Sequence, residues 1–259
     1  MRMNVDGAAG MPTGDDFLAA AIAVVGEVTA GQRAAVDAAA RLIARSVAAD
    51  GVVQAFGTGH SESLTMEISG RAGGLIATNR IVLRDLVLAG GAEPAILADP
   101  RLEREPGIAA RLYDLANVHA ADVFVLASNS GVNGAVIELA LLVKERGHDL
   151  IAVTSLAHGT AVPVRHPSGR RLADLADVVL DNGAPIGDAL LPLPGGGAVG
   201  AISSVTGALL AQQMIVSAIG LLAGQGVHPP VYLSANVPGG DEHNDALEAR
   251  YAGRIRRTA

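Results

Sequence analysis

The sequence predicts an α/β fold in which a parallel sheet is covered by helices on both faces. Apolar, β-branched runs at residues 52–56 and Val123–Ala127 each end in a Gly/Ser-rich turn and open into helical spacing, residues 64–71 and 136–146. Hydrophobic residues make up 50% of the chain and aromatic residues 2%, so the core is built from Ala, Val, Leu and Ile. Strands buried on both faces read as such unbroken apolar runs. A chain of 259 residues can bury a full core as one domain.

Residues 1–16 hold Gly, Pro and Asp, lack an apolar stretch of signal-peptide length and are expected to form a flexible extension. Residues 17–259 are expected to form a single domain with an N-terminal helix and a C-terminal helix and loop. Helical spacing covers 17–49, with Gly26 and Gly31 placed to break or bend it, and Arg33, Asp37, Arg41 and Arg45 recur along one wet face. Asp50-Gly51 ends that helix and 52–56 forms the first buried strand. After the first turn and its helix, Gly73-Gly74 precedes a second strand near 75–78. The stretch 82–121 is less regular, with turns at Asp99-Pro100 and Glu105-Pro106-Gly107 and a helix at 108–119. Strands follow at Val123–Ala127, 150–154 and 178–180, with the 136–146 helix between the first two. Strands alternating with helices require crossover connections and hence a parallel sheet, whose ligands bind beyond the carboxyl ends of the strands.

Charge and composition exclude several functions. The net charge is −7 and the only basic run is Arg254–Arg257, which argues against nucleic acid as a partner. With no cysteine there is neither a disulfide nor a thiolate metal site, in keeping with a cytoplasmic location. No Asp, Glu, Lys or Arg lies between Asp188 and Asp241, and residues 205–223 approach the length of a membrane span. Gln212 and Gln213 sit in their middle and no flanking cationic cluster or aromatic belt is present, so a helix buried in the core or in a subunit interface is expected rather than a membrane span.

A strand ending in a Gly/Ser turn that opens a helix presents N–H groups and hydroxyls to one point, an arrangement suited to phosphate. In Gly57-Thr58-Gly59-His60-Ser61 the glycines let the backbone turn tightly, and Ser61 either receives an oxyanion or serves as a plain N-cap. The run is neither a Walker loop nor a dinucleotide fingerprint. Ser128-Asn129-Ser130-Gly131-Val132-Asn133 is the more specific signal. Its hydroxyl and amide side chains around one glycine help neither helix nor strand, so a phosphate cradle is weighed against a plain turn.

These two elements, with Thr154-Ser155, resemble the phosphosugar site of the sugar isomerase (SIS) domain over roughly residues 34–226. Arg71-Ala72-Gly73-Gly74, His166-Pro167-Ser168-Gly169, Asp181–Pro185 and Ser234–Asn244 further resemble bacterial SIS proteins of the UPF0309 type, which are similar to phosphoheptose isomerases and more distantly to N-acetylmuramic acid 6-phosphate etherases. The resemblance implies a three-layer αβα sandwich around a five-stranded parallel sheet, flavodoxin-like, assembled as a homodimer or homotetramer, with a sugar phosphate as small-molecule partner. It places phosphate on Ser128, Ser130, Gly131 and Asn133, with Asn129, Gly57, Gly59, Ser61, Thr154 and Ser155 lining the remainder. Asn133 stands where many members have Thr.

Aldose–ketose isomerisation needs a base that moves a proton between neighbouring carbons and a partner that manages the proton on oxygen. Glu67-Ile68-Ser69-Gly70-Arg71 resembles the stretch that carries the catalytic Glu of phosphoheptose isomerases; the alternative for Glu67 is a salt bridge to Arg71 at i+4. The late-helix histidine of those enzymes has no counterpart in residues 199–223, where Gln212 and Gln213 can orient a substrate but cannot act as bases. His60 is the nearest substitute; His158 and His243 are further candidates, weighed against structural roles. An etherase-type lyase, with Glu67 and Glu103 or Glu105 as its acids, and a non-catalytic sugar-phosphate sensor are the alternative functions. Asp241-Glu242-His243-Asn244 cannot surround one ion, so no metal is expected, and no cofactor is called for.

Overall fold

The computed structural model describes residues 11–105 and 107–257. In chain order they form α1 (Gly14–Gly31), α2 (Arg33–Ala48), β1 (Val53–Gly57), α3 (Glu62–Ile68), β2 (Thr78–Ile81), α4 (Asp85–Leu88), α5 (Ile108–Leu115), β3 (Val123–Ala127), α6 (Gly134–Glu145), β4 (Asp149–Thr154), α7 (Leu156–Ala161), α8 (Leu172–Leu175), β5 (Val178–Asp181), β6 (Ala189–Pro192), β7 (Ala198–Ala201), α9 (Ser203–Gly224) and α10 (Gly240–Glu248). The first five strands make a parallel sheet in the order β2-β1-β3-β4-β5. Because side chains alternate between the faces of a strand, β3 serves two cores: Val123, Val125 and Ala127 join one, Phe124 and Leu126 the other. The first core lies under α2, α3 and α9 (Val36, Ile43, Ile68, Leu210, Met214) and the second under α5 and α6 (Leu112, Val136, Leu139, Val143). The architecture is the expected three-layer αβα sandwich.

Several boundaries differ from the sequence expectation, each for a local reason. Thr13 accepts a hydrogen bond from the Asp16 amide while the Asp16 carboxylate receives the Thr13 amide, a reciprocal cap that starts α1 at Gly14. The expected extension therefore gives up residues 14–16 to a helix; its residues 1–10 lie outside the described ones. The helical stretch 17–49 divides at Gln32, beside Gly31, and Gly26 stays inside α1. The second strand lies three residues later than expected, because 73–76 pair with the C-terminal segment instead: Gly73 N–H donates to Tyr232 O, Ile76 N–H to Pro230 O, and Leu75 bridges Val231 antiparallel. Asn117, with φ +50°, stands just beyond α5, which stops at Leu115 short of the expected 119. Residues 189–201 form an antiparallel hairpin, β6–β7, turning at Gly195-Gly196-Gly197. Val199 thus belongs to a strand, and the late helix begins at Ser203.

α9 is long and apolar enough to cross a membrane by composition, yet 44% of its apolar window is buried inside the protein against α2 and α3. The basic run at 254–257 is tied down. Arg254 pairs with Asp122 at 2.6 Å, Arg256 with Asp85 at 3.1 Å, and Arg257 donates to the carbonyls of Ile76 and Thr78.

Candidate active site

In the order β2-β1-β3-β4-β5 the chain reverses its direction of travel between β1 and β3, so the crevice of the sheet opens between the turns that leave these two strands. Those turns are the two singled out in the sequence. A narrow cleft lies there, with Ala127, Val153 and Leu64 as its apolar floor. Its polar walls come from His60, Ser61, Asn129, Asn182, Ser203 and Ser204. The first wall is held close by Gly57: a Cβ there would meet the Ser61 carbonyl oxygen at 2.6 Å, so only glycine lets the turn fold back onto the strand. Ser61 occupies the N-cap position of α3 but makes no capping bond. Its hydroxyl, the His60 ring and the Ser204 hydroxyl have no hydrogen-bond partner among the described residues.

The second turn is organised differently from a single cradle. Ser128 is buried and its Oγ accepts from the Gly131 amide at 3.1 Å, leaving its own proton to donate. Asn129 reaches the central cleft, where its Oδ1 accepts from Asn182 at 3.0 Å. Ser130 and Gly131 line a separate recess with Thr154 and Ser155, closed by Arg171, whose guanidinium donates to the Gly159 and Val162 carbonyls. Gly131 has φ +63°, and a Cβ there would lie 3.1 Å from Thr154 Oγ1. Ser155 is fully buried as the N-cap of α7: its Oγ accepts from the His158 amide (2.9 Å) and donates to Ala184 O (2.6 Å). Asn133 occupies the N-cap of α6 without capping it; its Nδ2 donates to Glu103 Oε1 at 3.1 Å, and it lines a third cavity.

Glu67 lies one turn along α3 from the cleft. One carboxylate oxygen accepts from Arg71 Nη1 at 2.8 Å and the other from Gln212 Nε2 at 2.7 Å, so α9 orients this carboxylate. A carboxylate has about four acceptor positions, and two remain. His60, two helical turns away from Glu67, is exposed at the rim, and the two side chains are not in contact. The two further candidate histidines are engaged: His158 Nδ1 accepts from the Gly187 amide, and His243 Nε2 bonds the Val231 carbonyl. Among the described residues no group of three or more His, Asp or Glu side chains could hold a metal ion. Ser203 and Ser204 were not singled out in the sequence, although two serines opening a long apolar helix are the signal that would find them. Asp188 holds that helix start, accepting from the Ser203 amide and hydroxyl.

The SIS domain model matches residues 16–155. A UPF0309 protein of Listeria monocytogenes is 42% identical over 225 residues, covering 86% of this chain and 91% of the relative. The chain belongs to the SIS domain family. A UPF0309 protein of Brucella canis is 40% identical, covering 85% of this chain and 88% of its own. Among solved structures, phosphoheptose isomerase of Neisseria gonorrhoeae superposes with a TM-score of 0.53 at 22% identity, over 78% of this chain and 95% of that one. A putative phosphosugar isomerase involved in capsule formation in Bacteroides fragilis also gives 0.53, at 17% identity over 81% of this chain and 89% of its own. These likenesses to SIS phosphosugar proteins agree with the sheet and its five-strand order, and the family is the one the sequence motifs resemble.

Proposed function

We propose that the protein binds a sugar phosphate in the cleft between the β1 and β3 turns and interconverts its aldose and ketose forms. One observation carries the binding half. The cleft at the reversal of strand order is walled by side-chain donors left without partners, Ser61, His60 and Ser204, beside the Asn129 amide. Water completes the hydrogen bonding of these half-exposed and exposed groups, and a ligand with several oxygens can replace it at one point. The phosphate is received between Ser61 of the first turn and Asn129 of the second, with the Ser128 hydroxyl proton behind them, while Ser130 and Asn133 face the neighbouring recesses. Gly57, Gly59 and Gly131 give the backbone its close approach, while Thr154 and Ser155 hold the second turn in shape from behind.

Glu67 is assigned as the base. It lies on α3 one turn beyond the cleft and is held by Gln212 of the late helix α9. His60 at the rim manages the proton on oxygen; base and partner act on different atoms of a sugar, so they need not touch. The link between Asn133 and Glu103 favours one second reading, a lyase in which Glu103 protonates a leaving group near the phosphate turn. Incubation with a panel of sugar phosphates followed by product analysis separates the two. Isomer formation lost in Glu67→Gln supports the first reading, and bond cleavage lost in Glu103→Gln supports the second. Full turnover by Glu67→Gln would end the assignment of the base.

Assembly as a homodimer or homotetramer and a cytoplasmic location complete the proposal. Leu18 and Ile22 on α1 and Val216 on α9 are each about 60% exposed on helices that pack together, an apolar surface of the kind that subunits cover.

A further inference from the structure

Beyond the cleft, a cavity of about 280 Å³ lies where Asn133 and Gly134 begin α6, bounded by Glu138 of that helix, by Arg104 from the segment before α5 and by Arg165 and His166 from the loop after α7. We infer that it is a second anion-binding site, built for a phosphate group or another dianionic oxyanion. Most arginines near it in the chain are spoken for: Arg101 pairs with Asp99, Arg170 donates to the Asp174 carbonyl and Arg171 to two more carbonyls. Arg104 and Arg165 have no ion pair or hydrogen bond among the described residues. They come from segments some sixty residues apart and meet on one cavity, so two solvent-exposed positive charges face a common space whose lining acid is Glu138.

The acids nearby are already engaged or turned elsewhere. Glu138 Oε2 accepts from the Gly107 amide at 3.1 Å, and its Oε1 lies 4.0 Å from His166 Nε2. Glu103 is bound by the Asn133 amide, and Glu105 is exposed to solvent. The Ser168 amide donates to His166 Nδ1 at 3.2 Å and so orients the ring at the cavity wall. Glu138 Oε2 is thus taken by the Gly107 amide, and the two guanidiniums remain for a ligand. Guanidinium groups present paired N–H donors that match phosphate and carboxylate oxygens. The cavity is larger than an ion needs, so the anionic group belongs to a small molecule whose body occupies the rest.

This site does not depend on the assignment of the cleft. Titrating the full chain calorimetrically with inorganic phosphate tests it, beside Arg104→Gln/Arg165→Gln and, separately, Ser61→Ala/Asn129→Ala. Each lost guanidinium contact to a charged group weakens binding about tenfold, so the arginine double variant is expected to lose one class of phosphate binding. That class should persist in Ser61→Ala/Asn129→Ala. If the cleft binds nothing, this class alone is seen and the site still stands. Phosphate binding unchanged in the arginine double variant, with its melting temperature preserved, would overturn the site, as would the absence of any phosphate binding by the wild type. Arg104→Lys/Arg165→Lys, which keeps the charge, is expected to retain a measurable fraction; complete loss there together with a lowered melting temperature would show that the arginines act on the fold instead.

Discussion

Replacing Arg254 by methionine removes the one positive charge bonded, among the described residues, to Asp122, whose side chain is fully buried. That carboxylate sits at the foot of β3 and collects four donors: Val52 N–H at 2.9 Å, Gln54 Nε2 at 2.8 Å, His119 N–H at 3.1 Å and Arg254 Nη2 at 2.6 Å. Gln54 in turn accepts from Asn79, so the network crosses β3, β1 and β2 beneath the sheet's central strands. Breaking a buried ion pair by removing one partner costs about 3–5 kcal/mol. Three neutral donors remain on Asp122, which places the expectation near the lower end, about 3 kcal/mol. For a chain of this size each kcal/mol lowers the melting temperature by about 2–4 °C, so a fall of about 6–12 °C is expected at neutral pH. Methionine keeps the apolar stem of the side chain, which separates the charge effect from lost packing. Differential scanning calorimetry of wild type, Arg254→Met, Asp122→Asn and the double variant measures it. Asp122→Asn combined with Arg254→Met removes the stranded charge and should recover part of the loss. A fall below about 2 °C in the single variant would refute the view that the C-terminal strap holds the sheet through this pair.

Tyr232 is pushed up to about 12, first by burial and then by the hydrogen bond it donates to Glu248, and burial also raises Tyr113 and Tyr251. A raised folded value means stability that is complete below the unfolded value of about 10 and lost as the pH climbs toward 12; tyrosinate absorbance should therefore appear at higher pH in the native protein than in urea, and coincident curves would contradict it. Ser155→Ala removes a fully buried hydroxyl that both caps α7 and donates to Ala184, and about 1–3 kcal/mol of stability should go with it in denaturant titrations. An unchanged midpoint would show that Ser155 serves the ligand alone. Gln212→Ala frees one oxygen of Glu67 from α9, and the turnover of any sugar-phosphate isomerisation should fall more than its KM rises. A pure KM effect would place Gln212 on the substrate instead.

Apolar runs and turn chemistry made most of the sheet legible. The strands at 52–56, Val123–Ala127 and 150–154 lie within one residue of β1, β3 and β4, because fully buried parallel strands leave little else that such runs can do. β2 was misplaced because Leu75 and Ile76 are as buried and apolar as a sheet strand while the backbone of residues 73–76 pairs with residues 230–232, a pairing no local pattern encodes. The hairpin was missed because Pro192, Pro194 and three consecutive glycines read as loop, although the glycines supply the positive φ values of its turn. For the candidate site, the sequence located the two turns but not their division of labour. A run such as 128–133 announces polar side chains; whether each faces one point or three depends on Thr154, Leu172 and Asn182 from other elements. The same holds for Gln212, whose partner Glu67 is 145 residues away.

Binding of a sugar phosphate to the cleft is the claim on which the functional account stands. Isothermal titration of the wild type and of Ser61→Ala/Asn129→Ala with hexose and heptose phosphates, in parallel with the unphosphorylated sugars, tests it most directly. The account predicts binding that requires the phosphate and weakens at least about tenfold in the double variant, whose melting temperature stays near the wild-type value. Equal affinity in the two proteins, or no affinity of the wild type for any phosphorylated sugar, would contradict it.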